Sequence, residues 1–202
     1  MWIKICGMTT PDAIATALEA GADAIGFVFA PSPRQLTPEA AAQLSRPARG
    51  RARCVAVTRH PAQAALDEVL RVFRPDVLQT DESDFATLTL PGTLERLPVV
   101  RAGAALPAPL PARLLFEGPQ SGAGQPADWS AARRLAQRTA LVLAGGLDAG
   151  NVAAAIAAVR PAGVDVSSGV EARAGIKSPL KIVQFVSAAR TALAVSINEE
   201  SS

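Results

Sequence analysis

Eight short apolar runs alternate with amphipathic or alanine-rich segments along the 202 residues, one run roughly every 25 residues, and this rhythm restricts the fold more than any other feature. The runs are Ile3–Cys6, Ala24–Phe29, Arg53–Val57, Val77–Gln79, Leu97–Arg101, Arg113–Phe116, Ala140–Ala144 and Val164–Val166. Ala24–Phe29 lacks polar alternation, as expected of a strand covered on both faces. Thr10, Pro11 and Asp12 open the first intervening helix, which runs to Ala20 and closes on Gly21. Further helices are expected from Thr37-Pro38 to Leu44, from His60-Pro61 to Val72, from Ser130 to Arg138, from Asp148 to Val159, and from Leu180 to Ala194 after Ser178-Pro179. Thr80–Asp84 and Gly118–Ala127 read as loops. Gly103–Pro111 is too rich in Pro for a full helix. Eight strands with helical or helix-like connections in this length fit a single-domain (β/α)8 TIM barrel over residues 1–196, with a frayed tail at 197–202. An open doubly wound sheet is the competitor. Only Gly7 follows the first strand, where a dinucleotide-binding sheet needs three glycines.

Composition removes several classes of function. Hydrophobic residues make up 49% of the chain, which excludes disorder, and no apolar run approaches the roughly 20 residues needed to span a bilayer. The N-terminus lacks the basic and long apolar regions of a signal peptide, so a cytoplasmic location is expected. Cys6 and Cys54 cannot build a disulfide framework. The net charge is +2, arginines are scattered and Tyr is absent, so neither a nucleic-acid surface nor a membrane surface is evident.

In a barrel, catalytic groups gather at the C-terminal ends of the strands. Cys6, Arg34, Gln79, Arg101, Glu117, Asp128, Gly145, Gly146, Asp165, Ser167, Ser168 and Gly169 would meet at that mouth. Gly145-Gly146 exposes backbone N–H groups, and Ser168-Gly-Val-Glu171 reads as a capping box opening one turn of helix. Consecutive strand ends built this way point to a phosphate site, although ordinary tight turns share the pattern. Cys6 reads either as a small core residue or as a base, the latter only if cations or helix dipoles favour its thiolate. Asp128, beside Trp129, is either an acid kept protonated by desolvation or a plain helix-start residue. His60 is the single histidine, which argues against a catalytic triad and a multi-histidine metal site, and its place before Pro61 suits a structural helix start. Cys54 reads as core. Asp81, Glu82 and Asp84 read as a solvated acidic loop without the spacing of an ion-binding loop.

Several motifs taken together resemble the phosphoribosylanthranilate isomerases of tryptophan biosynthesis. They are Lys4-Ile-Cys-Gly-Met-Thr9, Gly26-Phe-Val-Phe29, Ser32-Pro-Arg34, Asp128-Trp129, Leu143-Ala-Gly-Gly-Leu147 with Asn151-Val152, Val164-Asp-Val-Ser-Ser-Gly-Val-Glu171 and Gly175-Ile-Lys177. The resemblance implies a barrel that performs a cofactor-free, metal-free Amadori rearrangement on a small phosphorylated substrate, as a monomer or homodimer. It implies Cys6 as general base and Asp128 as general acid, Arg34 at the anthranilate carboxylate, and Asp165 orienting the substrate. Gly145, Gly146, Ser168 and Gly169 would hold the phosphate. The chain departs from the family at Gln79-Thr-Asp-Glu82, where Gln-Leu-His-Gly is usual. It departs again at Glu117 in place of aspartate, and at Ser121-Gly-Ala-Gly-Gln125, which lacks a lysine. A histidine-pathway aminoaldose isomerase is a weaker alternative, since no internal repeat is evident and Cys6 stands where that family has aspartate. A catalytically silent phosphate-binding barrel is the alternative outside enzymes; retention of Cys6 and Asp128 counts against it.

Overall fold

The structure is a computed structural model that describes residues 1–118 and 128–200. The eight expected strands form a closed parallel barrel in sequence order: β1 (Trp2–Cys6), β2 (Ala24–Val28), β3 (Arg53–Val57), β4 (Val77–Asp81), β5 (Glu95–Arg101), β6 (Arg113–Glu117), β7 (Ala140–Leu143) and β8 (Gly163–Val166). Closure comes from β1, which pairs with β2 through Lys4↔Ala24 and with β8 through Lys4↔Asp165. Helices α1 (Pro11–Glu19), α2 (Pro38–Leu44), α3 (Gln63–Val72), α4 (Trp129–Ala136), α5 (Val152–Val159) and α6 (Pro179–Glu200) pack outside.

Alternation along each strand sorts the core into two shells. Ile3 and Ile5 point outward and join Ile14, Ala17, Phe185 and Val186 beneath the helices. The opposite parity points inward, where Ala24, Val55, Val77, Leu97, Val99, Leu115, Val142 and Ala144 fill the barrel with Trp2 and Val57. Phe27 and Phe73 meet edge to face at 5.1 Å, seating the end of α3 on β2, an arrangement contributing about 1 kcal/mol beyond area burial. The start of α1 is as expected: Thr10 Oγ1 accepts from the Ala13 N–H at 3.4 Å, and Pro11 needs no partner.

The connections depart from expectation in several places. Thr80 and Asp81 belong to β4 rather than to a loop, because Asp81 finds partners inside the mouth. Asp81 and Asp84 are consequently buried, not solvated. A 3-10 turn, Glu82–Ala86, follows β4, and no helix lies between β5 and β6 among the described residues. His60 adopts φ +46°, so α3 cannot begin at His60-Pro61 and starts at Gln63. Helix α4 begins one residue before Ser130, with Asp128 as its N-cap. Asp148 and Asn151 exchange hydrogen bonds in the turn ahead of α5. After β8 the chain makes a 3-10 turn, Ser168–Val170, and a small hairpin of β9 (Glu171–Arg173) and β10 (Ile176–Lys177). No capping box forms there, because the Glu171 carboxylate turns to Arg34 and Lys177 instead. At the C-terminus α6 continues through Glu200, past Ala194. Residues 201–202, the end of the expected tail, lie outside the described residues, as does Ser121–Gln125.

Candidate active site

A cavity of about 190 Å³ opens at the C-terminal ends of the strands. Cys6, Asp165 and Ser167 line one wall, Gln79, Asp81, Arg101 and Glu117 the other, and Arg34, Thr58 and Arg59 its edge. No three His, Cys, Asp or Glu side chains among the described residues are grouped to hold a metal ion.

Cys6 ends β1 with 7% of its surface exposed. Two residues earlier, and therefore on the same inward face, lies Lys4, fully buried. Its Nζ donates to Asp165 Oδ1 at 2.8 Å, across the β1–β8 register. A glycine makes this possible: a Cβ at Gly26 would stand 3.1 Å from Cys6 Sγ and 3.2 Å from Lys4 Nζ. Burial is the main influence on the Cys6 thiol and pushes its pKa up. Lys4 opposes that rise, Asp165 adds to it, and Lys177 opposes it. Lys4 and Lys177 are the side-chain cations that favour the thiolate here. Lys4 itself is held above the ordinary lysine value: burial disfavours its charge, but Asp165 and Cys6 more than compensate.

Arg34 is committed to an internal partner. Its Nε and Nη2 donate to the two Glu171 oxygens at 2.6 and 2.9 Å, a bidentate pair tying the loop after β2 to β9. Lys177 Nζ donates to the same carboxylate at 2.9 Å and to the Ser167 carbonyl at 2.9 Å. Ser167 Oγ in turn donates to the Cys6 carbonyl at 3.1 Å. These loops meet over Gly7, whose φ of +78° and nearness to Arg34 Cδ exclude a side chain.

Gly145 and Gly146 have φ of +93° and +65°, and Gly169 packs so closely that a Cβ would overlap the Leu147 carbonyl. The turns after β7 and β8 therefore lie against each other. Gly145, Gly146, Ser168 and Gly169 are brought together in this way, outside the lining of the cavity that holds Cys6, Arg34 and Asp165. Asp128 is not among the lining residues either. It is exposed, accepts from the Ser130 and Ala131 N–H groups at 2.9 and 3.1 Å, and those bonds hold its pKa below the usual carboxylate value. The expectation that desolvation keeps Asp128 protonated is overturned, because water reaches it and the helix end favours its charge.

The sequence reading missed Lys4, although its parity with Cys6 was available as a signal. On the far wall Gln79, Arg101 and Glu117 stand at the mouth as expected, whereas Asp81 and the ion pairs that join these groups were missed. There Arg101 Nη2 donates to Asp81 Oδ1 at 2.6 Å and Nε lies 3.2 Å from Glu117 Oε1. His60 spans Asp81 and Asp84 at 3.0 and 2.8 Å, so it joins two acids rather than opening a helix. Thr58 Oγ1 and Gln79 Oε1 are buried in the cavity lining and have no partner among the described residues.

Comparison with known proteins agrees with this geometry. Residues 3–188 match the family described as N-(5'-phosphoribosyl)anthranilate (PRA) isomerase. The N-(5'-phosphoribosyl)anthranilate isomerase of Azorhizobium caulinodans is 41% identical over 214 residues, which covers 96% of this chain and 93% of that one. Among solved structures, phosphoribosyl anthranilate isomerase from Thermus thermophilus superposes with a TM-score of 0.82 at 26% identity, covering 95% of this chain and 99% of that one. A further phosphoribosyl anthranilate isomerase, solved with reduced 1-(o-carboxyphenylamino)-1-deoxyribulose 5-phosphate, gives 0.79 at 28% identity with the same coverage. The chain belongs to the phosphoribosylanthranilate isomerase family.

Proposed function

We propose that this barrel converts N-(5-phosphoribosyl)anthranilate into 1-(2-carboxyphenylamino)-1-deoxyribulose 5-phosphate by an acid–base Amadori rearrangement, the third step of tryptophan synthesis from chorismate, with Cys6 as base and Asp128 as acid. The observation that carries the reading is the position of Cys6: it ends a barrel strand, faces a cavity and stands beside a buried ammonium. Protonation of the furanose oxygen opens the ring as the anilino nitrogen pushes its lone pair onto C1. The Cys6 thiolate then takes the proton from C2, and the freed electron pair forms the C1=C2 bond of an enolamine. Proton return to C1 with loss of the C2 hydroxyl proton gives the ketose. No electron leaves the substrate.

The turns carrying Gly145, Gly146, Ser168 and Gly169 supply N–H groups for the phosphate, the usual place for it in such barrels. Asp165 orients the substrate beside Cys6. Thr58 Oγ1 and Gln79 Oε1 offer hydrogen bonds to sugar hydroxyls. Arg34 meets the anthranilate carboxylate with the edge of its guanidinium not used by Glu171. Asp128 acquires its proton only when substrate covers it and excludes water, which raises a carboxyl pKa. The whole cavity is built from one chain, so either a monomer or a homodimer suits it. No described helix is long and apolar enough to cross a membrane, and we assign the protein to the cytoplasm, with no nucleic-acid partner.

Turnover of freshly prepared phosphoribosylanthranilate by the wild type, Cys6→Ala and Asp128→Asn tests the assignment. Each variant is expected to lose roughly 100- to 10,000-fold in kcat. Near-wild-type rates in both would remove these residues from the chemistry, and an inactive wild type would remove the substrate.

A further inference from the structure

We propose that Lys4 is the positioning residue of the base: its buried ammonium, anchored by Asp165 beside the Cys6 sulfur, favours the thiolate that proton abstraction requires. The inference rests on the assignment of Cys6 as base and extends it to a residue that touches no substrate atom. Three observations support it. Lys4 is fully buried, a condition almost never met by lysine unless its charge has a structural partner. Its one carboxylate partner, Asp165, lies across the strand pair at 2.8 Å, so the ammonium cannot swing away from the β1–β8 seam. Gly26 then leaves a gap that both Nζ and the Cys6 sulfur border, each about 3 Å from the place a Cβ would occupy.

Four charged groups face the sulfur. Lys4 shares its strand, Asp165 comes from β8, Lys177 from β10 and Arg34 from the loop after β2. Of these cations, Lys4 exerts the largest effect, and its Nζ and the Cys6 sulfur border the same gap at Gly26. Arg34 and Lys177 are already shared with Glu171. Burial otherwise works against the thiolate, so removing Lys4 leaves a thiol with less to favour its ionisation. During turnover Lys4 keeps its proton. The C2 proton passes to sulfur, its electron pair stays on the substrate as the enolamine, and the lysine–aspartate pair is unchanged at both ends of the step.

The test is the rate of Cys6 alkylation by iodoacetamide between pH 6 and pH 10, followed by mass spectrometry in a Cys54→Ala background. That background removes the core thiol and leaves Cys6 as the single sulfhydryl. Lys4→Met is expected to move the alkylation midpoint alkaline by at least about one pH unit, which is about tenfold slower labelling at neutral pH. The acidic limb of kcat/KM should move with it. Because Lys4→Met strands a buried carboxylate, Lys4→Met/Asp165→Asn is measured alongside. This double variant removes both charges and should show the same direction of shift. A folded variant with an unchanged alkylation midpoint overturns the inference. Labelling uses no substrate, so it fails independently of the isomerase assignment: an inactive wild type with a Lys4-dependent midpoint would refute the activity alone.

Discussion

Along β8 and β1 the cavity wall carries Asp165 and Cys6, with the buried Lys4 and the gap at Gly26 beside them; along β4, β5 and β6 it carries Asp81, Arg101 and Glu117. Both walls pair opposite charges at hydrogen-bond distance. On the first, the cation is fully buried and shares with the Cys6 sulfur the gap left by a missing side chain. On the second, the cation is 21% exposed, shared between two carboxylates and backed on the outside by a 3-10 turn instead of a helix. A charge removed from water interacts several times more strongly than one at a wet rim. The first wall is therefore suited to setting a protonation state, and the second to shaping the space in which a substrate lies.

If that division is right, the largest effect comes from disturbing the first wall without touching any charge. Gly26→Ala adds one methyl group about 3 Å from both the Cys6 sulfur and the Lys4 Nζ that bonds Asp165, so one of the two must shift. Even a shift of a few tenths of an ångström moves the reacting sulfur, with a rate loss below the roughly 100-fold that a 1 Å misplacement costs, and overpacking costs about 1–3 kcal/mol of stability. Steady-state kinetics and a denaturant titration measure both. An active, stable Gly26→Ala would show that the gap is not needed, and the contrast between the walls would lose its main support.

Asp81→Asn makes the matching change on the far wall and should do less. The amide keeps the shape, Arg101 retains Glu117, and His60 retains Asp84. We expect a stability loss of about 1–2 kcal/mol, as for one charged hydrogen bond, with a change in KM and a kcat within about threefold of wild type. A loss of kcat like that expected for Gly26→Ala would mean that both walls take part in the chemistry.

The same contrast decides what was legible in the chain. The barrel followed from eight apolar runs at even spacing, because period and burial are local properties of sequence. Cys6 and the glycine turns were legible because they sit at strand ends, which the alternation locates. Arg34, by contrast, pairs with Glu171, 137 positions away, and Lys4 with Asp165, 161 positions away. No spacing rule reaches such distances. The acidic segment of the far wall was misread for a related reason: Thr80-Asp-Glu-Ser-Asp84 has the composition of a solvated loop, and it is Arg101 from β5 and His60 from the loop after β3 that give Asp81 and Asp84 partners inside. The Asp128 expectation failed because the exposure of a helix start depends on what covers it, which composition does not encode.

The smallest effect concerns the clamp above the first wall, and it is read in stability against pH. Burial alone would raise the Glu171 pKa, but hydrogen bonds from Arg34 and Lys177 bring it below the ordinary glutamate value. A carboxylate depressed in the folded state binds its proton more readily when unfolded. It therefore contributes stability that is fully present above about pH 4.3, the unfolded value, and is lost as pH falls through the lower folded value. Glu171→Gln removes that contribution. The variant should melt lower than wild type at pH 7, and the difference should shrink as both are acidified below about pH 4. Melting temperatures at closely spaced pH values from neutral to about pH 3 measure it. A gap that stays constant across the range would mean that Glu171 holds Arg34 through shape and neutral hydrogen bonds, and that the loop after β2 is fastened to β9 without help from charge.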